Sequence, residues 1–206
     1  MPVAVRAAAL VWAVALAALP CDGAAPPSGS GFTVNYFAYG SNLAAAVREG
    51  RRGLSPISQT PGVVRDYKLA FNVRGFSARE PAFASIAAAP GDECHGGVYE
   101  LSLRDWATVC ATEGVPFAYR VVQVEVEPYA GGEAVQAWTL DAQVPEFFGE
   151  APPSERYLTL IRDGAKELGL TTNWQERLAK VKVAPGGSPS VERAAQFEKR
   201  KDATFV

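Results

Sequence analysis

The chain has 206 residues, of which 48% are hydrophobic and 20% charged, with Lys+Arg 20 against Asp+Glu 22 and a formal net charge of -2. That length suits one domain with accessory segments, the apolar fraction excludes a wholly disordered chain, and the near-zero charge removes the pull on which nucleic-acid and anionic-membrane binders depend. A single histidine, His95, is too few for the imidazole sets of catalytic zinc, and Cys21, Cys94 and Cys110 fit neither a zinc ribbon nor a disulfide scaffold.

In chain order, residues 1–6 are a short basic start, residues 7–20 an apolar run, and Gly23, Ala24 and Ala25 a small-residue cleavage point. This is the grammar of a secretory signal. The run falls short of the roughly 20 apolar residues needed to span a bilayer, so no membrane association is expected after processing. The expected localisation is the secretory pathway or the exterior, with an organelle or the cytoplasm as the alternative. Residues 1–31 are therefore read as leader and linker, residues 32–184 as the folded domain, and residues 185–206, rich in Pro, Gly, Ser and charge, as a disordered tail.

Within the domain, β-branched and aromatic runs predict strands at residues 33–38, 63–73, 82–89 and 96–101. Ser102-Leu-Arg-Asp105 is a capping pattern opening a helix to about Thr112, with Gly114 as its stop. Residues 119–127 and 134–140 flank Gly131-Gly132 as a hairpin with one wet face. Ser154 caps a helix with Tyr157, Ile161, Ala165 and Leu168 at helical spacing, and Asn173 opens a last one with Trp174, Leu178 and Val181. Trp106, Cys110 and Glu113 share one helical face, which reads as packed, with Cys110 a core thiol. His95 reads as structural. Cys94 and Cys110 are left open as a pair, because spacing does not give their geometry.

The most informative string is Tyr36-Phe37-Ala38-Tyr39-Gly40-Ser41-Asn42-Leu43, in which a strand turns into a short helical pattern at residues 43–49. Backbone N–H groups at such a turn, with Gly40 permitting close approach, suit a carboxylate or an oxyanion. The whole string resembles the opening strand and substrate loop of the γ-glutamylcyclotransferases. Asp66-Tyr-Lys-Leu, Pro90-Gly-Asp-Glu93, Gly96-Gly-Val-Tyr99, Glu113-Gly-Val and Ala151-Pro-Pro-Ser-Glu-Arg-Tyr157 look like further family segments in family order.

The resemblance implies an α+β fold: a small mixed or antiparallel β-barrel with peripheral helices. It implies an enzyme that converts γ-glutamyl amino acids to 5-oxoproline and the free amino acid, with a small-molecule γ-glutamyl substrate, no cofactor, no metal, no nucleic-acid partner and a possible homodimer. The loop is more similar to the branch acting on γ-glutamyl amino acids than to the glutathione-specific branch. Glu113 is carried over as general acid/base, and Tyr36, Phe37, Ala38, Tyr39, Gly40, Ser41 and Tyr157 as substrate-binding residues. Independently of the family, a carboxyl at a helix C-terminus faces the negative dipole end, which raises its pKa. Trp138 departs from a tyrosine in some members. The alternative is a non-catalytic member that binds a small carboxylate ligand.

Overall fold

The computed structural model describes residues 31–77, 79–145 and 149–185. Nearly all of the expected leader and tail lies outside the described residues. Five strands, β1 (Thr33–Ala38), β2 (Ser58–Ser77), β3 (Glu80–Ser102), β4 (Tyr119–Pro128) and β5 (Val135–Ala142), close a barrel in the order β1-β3-β2-β4-β5. Every pairing is antiparallel except β1 with β5, so the barrel is mixed, as the family pattern implied.

The expected strands at residues 82–89 and 96–101 are one strand, because the chain runs straight through Pro90-Gly91-Asp92. The register jumps from Arg65↔Glu93 to Tyr67↔Ala88, so Asp66 alone faces residues 89–92. Asp66 takes a positive φ of 60° and its Oδ1 accepts from the Gly91 amide at 2.8 Å. A turn signature has become a bulge, which bends the sheet without ending it.

The β1–β5 seam has a single ladder partner pair, Tyr36↔Trp138. Side chains take over there: Thr139 Oγ1 donates to the Phe37 carbonyl at 2.7 Å, Asn35 Nδ2 to the Gln136 carbonyl at 3.3 Å, and the Tyr39 hydroxyl to the Leu140 carbonyl.

Among the described residues, three α-helices lie around the barrel. Helix α1 (Leu103–Glu113) starts where Ser102 Oγ accepts from the Asp105 amide at 3.1 Å and stops at Gly114, whose φ of 75° suits a residue without Cβ. Helix α2 (Glu155–Glu167) is capped by Ser154 and buries Tyr157, Leu158, Ile161 and Ala165; Leu158 and Ile161 each contribute about 1.5–3 kcal/mol of transfer free energy. A Cβ on Gly164 would stand 2.4 Å from the Ala44 nitrogen, so α2 seats its backbone directly on the chain after Leu43. Helix α3 (Thr172–Ala179) is capped by Thr171 rather than opened at Asn173, and buries Trp174 and Leu178.

Residues 43–49 do not form one α-helix. A 3₁₀ turn at Ser41–Leu43 is followed by a π-helical turn at Ala46–Arg51. Cys94 and Cys110 are both free; Cys94 is buried, whereas Cys110 is only half-buried on α1, since the packed stripe of that helix is centred on Val109.

Candidate active site

Glu113 ends α1, and residues from five other elements lie around its carboxyl. Its Oε1 accepts from Asn42 Nδ2 at 2.9 Å and from Arg52 Nη2 at 2.6 Å. Asn42 gives the other hydrogen of the same amide to the Tyr36 hydroxyl at 2.9 Å, so one side chain ties β1, the 3₁₀ turn and α1 together. Arg52 Nη1 donates to the Thr112 hydroxyl, whose own proton goes to the Thr108 carbonyl at 2.8 Å. Only 17% of the Glu113 side chain and 15% of that of Arg52 is exposed, so the pair attracts through protein rather than bulk water.

Burial raises the Glu113 carboxyl above its ordinary 4.5, while Arg52 and then the Asn42 hydrogen bond pull it back down. The direction agrees with the sequence reading but the leading cause does not. Desolvation is the leading cause, and Arg52 places a cation at the very helix end whose dipole was expected to act.

Tyrosine hydroxyls complete the wall. Ala84 lies where the register shifts between Ala70 and Val73, outside the β2–β3 pairing. Its carbonyl accepts from the Tyr119 hydroxyl at 2.8 Å and its amide donates to the Tyr157 hydroxyl at 3.2 Å, so β4 and α2 are anchored on the one β3 residue that faces a bulge in β2. Burial, then neighbouring groups that include Glu113, pushes Tyr157 up to about 12, and Tyr36 and Tyr119 rise for the same reasons. All three stay protonated at neutral pH; Tyr119 gives its proton to the Ala84 carbonyl, while Tyr36 and Tyr157 accept in the bonds above and keep theirs to donate.

Of the residues expected at the site, Tyr36, Gly40, Ser41, Glu113 and Tyr157 come together. A Cβ on Gly40 would lie 3.4 Å from the Tyr157 hydroxyl and 3.7 Å from Ala84 Cβ, filling the space between them. Ser41 stands against Tyr157. Phe37 and Ala38 are 0% exposed and belong to the barrel core; the Phe37 ring packs 6.4 Å from that of Tyr39, whose hydroxyl serves the seam. Trp138 lies half-buried on β5, paired with Tyr36 and Gln123.

Asn42, Arg52 and Tyr119 were not assigned from sequence. Asn42 was legible as the polar end of Gly-Ser-Asn, and Tyr119 as an aromatic opening a strand just past the Glu-Gly stop. Arg52 gave no signal beyond a pair of adjacent arginines. Among the described residues, no three His, Cys, Asp or Glu side chains converge as a metal site requires.

The AIG2-like family model matches residues 93–178, a span that includes Glu113, Tyr119 and Tyr157. The γ-glutamylcyclotransferase of Mus musculus is 33% identical over 167 residues, covering 79% of this chain and 85% of the mouse protein. This chain belongs to the γ-glutamylcyclotransferase family. A second γ-glutamylcyclotransferase relative, aclK of Aspergillus oryzae, is 33% identical over 150 residues, 64% of this chain and 55% of the fungal protein, so the chain spans about half of that relative's length. A solved γ-glutamyl cyclotransferase structure superposes with a TM-score of 0.66 at 28% identity, over 82% of this chain and 99% of the other. The closed barrel with helices outside it is therefore the γ-glutamylcyclotransferase fold.

Proposed function

We propose that this protein is a γ-glutamylcyclotransferase that releases 5-oxoproline and a free amino acid from γ-glutamyl amino acids, with Glu113 as general acid/base. The observation that carries the reading is the Glu113 carboxyl: mostly buried, raised, held among the described residues through Oε1 alone and walled by protonated tyrosines. A nucleophile from the protein is not needed, because the substrate's own α-amine attacks its γ-carbonyl.

Ionised Glu113 takes a proton from the substrate ammonium, and the freed nitrogen lone pair forms a bond to the γ-carbon, closing a five-membered ring. The carbonyl oxygen carries the charge until the bond from the γ-carbon to the second amino acid breaks. The departing nitrogen receives that proton from Glu113, the carboxylate so freed takes the second proton from the ring nitrogen and hands it to the released amine, and no water is consumed. Both transfers use one mobile-proton carboxyl. Gly40, Ser41 and Tyr157 supply the space and hydrogen bonds that hold the γ-glutamyl group folded, where intramolecular attack gains most from orientation.

The test is 5-oxoproline release across a panel of γ-glutamyl dipeptides at millimolar concentration, without added metal or nucleotide, in oxygen-18 water. Unlabelled 5-oxoproline is expected; labelled glutamate would mean hydrolysis, and unchanged substrate throughout would leave a carboxylate-binding module. We also infer cleavage of the leader between residues 21 and 25, to be read from the intact mass of native protein; Met1 retained on cytosolic material overturns it.

A further inference from the structure

The π-helical turn Ala46–Arg51 sends two arginines inward, and neither belongs to the proposed proton transfers. Arg48, 5% exposed, donates to the Leu43 carbonyl at 2.8 Å, the Asn42 carbonyl at 3.3 Å and the Tyr99 hydroxyl at 2.9 Å. It braces the turn that carries Asn42. Arg52 closes the same element, its amide bonded five residues back to the Val47 carbonyl at 3.1 Å, and its fork spans two successive residues at the end of α1. One Nη takes the Thr112 hydroxyl and the other takes Glu113 Oε1, so the guanidinium plane is fixed at both tips. π turns are rare and recur at functional sites, where the added residue re-aims side chains.

We propose that Arg52 is a positioning residue for Glu113: it pins one carboxyl oxygen, turns the other toward the substrate and keeps the group in the ionised form that the first proton transfer needs. This rests on the reading of Glu113 as acid/base. The groups facing Glu113 are Arg52 from the π turn, Asn42 from the 3₁₀ turn, Tyr36 from β1, Tyr119 from β4 and Tyr157 from α2. Among them Arg52 carries the positive charge, and the tyrosines are held neutral by burial. Burial and Arg52 thus oppose each other at this carboxyl: desolvation favours the acid, and the ion pair favours the base.

The experiment compares Arg52→Gln, Arg52→Lys and Thr112→Val with the wild type, reading kcat, KM and the pH profile of kcat. In parallel, the Glu113 carboxyl is titrated by carbon-13 NMR in protein without substrate. Arg52→Gln is expected to move the acidic limb of kcat, and the NMR midpoint, upward by about 1 pH unit or more. The misplaced carboxyl should lower kcat by up to about 10²-fold. Arg52→Lys restores the limb but not the full rate, because an ammonium lacks the fork. Thr112→Val leaves the limb in place and lowers kcat with KM little changed. An Arg52→Gln limb and NMR midpoint at wild-type positions, or a Lys variant indistinguishable from Gln, overturns the inference. If Arg52→Gln does not fold, the contrast of Lys and Thr112→Val with wild type decides by the same criteria. Glu113→Gln separates the two levels: full activity there defeats the acid/base reading, whereas an inactive Gln variant beside an unmoved Arg52→Gln limb defeats only this proposal.

Discussion

His95, buried, and Glu113, mostly buried, are titratable groups tied into hydrogen-bond networks at different places on the same barrel. On β3, the His95 Nδ1 meets the Tyr129 hydroxyl, Nε2 meets Glu93 Oε1 at 2.9 Å, and the ring stacks on Trp174 at 4.8 Å. Both ring nitrogens of the imidazole are taken, and Trp174 packs on its face. At Glu113 both hydrogen bonds land on Oε1. A saturated network rigidifies, binding β3 to the end of β4 and to α3. An unsaturated one keeps hydrogen-bonding capacity for a ligand, which is how a site differs from a brace even when burial is alike.

The sharpest way to break that contrast is Glu113→Gln, which keeps size and shape but removes the titrating proton. General acid–base catalysis is worth about 10²–10⁴ in rate, so kcat should fall by that order while the melting profile stays cooperative. More than roughly a tenth of wild-type kcat, with chemistry rate-limiting, would remove Glu113 from the mechanism. In the wild type, kcat should decline with acidification through a midpoint above 4.5, since burial has raised the group that must be ionised; the Gln variant should lack that limb. The stability sign is opposite to that of an ordinary ion-paired carboxylate. The folded state holds this proton more tightly, so the contribution is complete below 4.5 and is lost as pH rises through the raised value.

His95→Gln should do the reverse. Breaking its bonds and stacking is expected to cost about 1–3 kcal/mol in denaturant unfolding while changing kcat less than about threefold. A catalytic loss like that of Glu113→Gln, with stability unchanged, would erase the distinction. The smallest effect belongs to Asp92→Asn at the edge of the His95 network. Arg177, bonded at 2.6 and 2.8 Å, lowers the Asp92 carboxyl from 3.8 to about 2. The pair is partly exposed, with 47% of the Arg177 and 30% of the Asp92 side chain open to water, so its loss should cost no more than about 1 kcal/mol. Its contribution is complete above 3.8 and disappears as pH falls through about 2.

Much of this was legible in the residues. Ser102, Gly114 and Ser154 marked helix ends because capping is a local contact within three residues, and the strand of residues 33–38 was read with its observed bounds. The Tyr36–Ser41 string and Glu113 stood out through the ordered family segments. What failed was non-local. Pro90-Gly91-Asp92 reads as a turn in isolation, and only pairing with Asp66 makes it a bulge. Arg51-Arg52 is only a pair of adjacent arginines in the sequence, and nothing near them says that one reaches a carboxyl 61 positions away. The Ala84 amide and carbonyl were invisible as anchors because their freedom comes from a register shift.

The seam between β1 and β5 has its own consequence. Where a strand pair is sewn by Thr139, Asn35 and Tyr39 side chains, closure depends on residue chemistry that a backbone ladder would not need. Thr139→Val, nearly the same shape, removes one stitch and strands the buried Phe37 carbonyl. Such a line opens at lower free energy than the molecule unfolds, and amide hydrogen exchange would report it as a local event. Tyr36 lies on that line and is one hydrogen bond from Asn42. A ligand that immobilises Tyr36 therefore also holds the barrel shut, and by mass action the occupancy of the site and the breathing of the seam form one linked equilibrium.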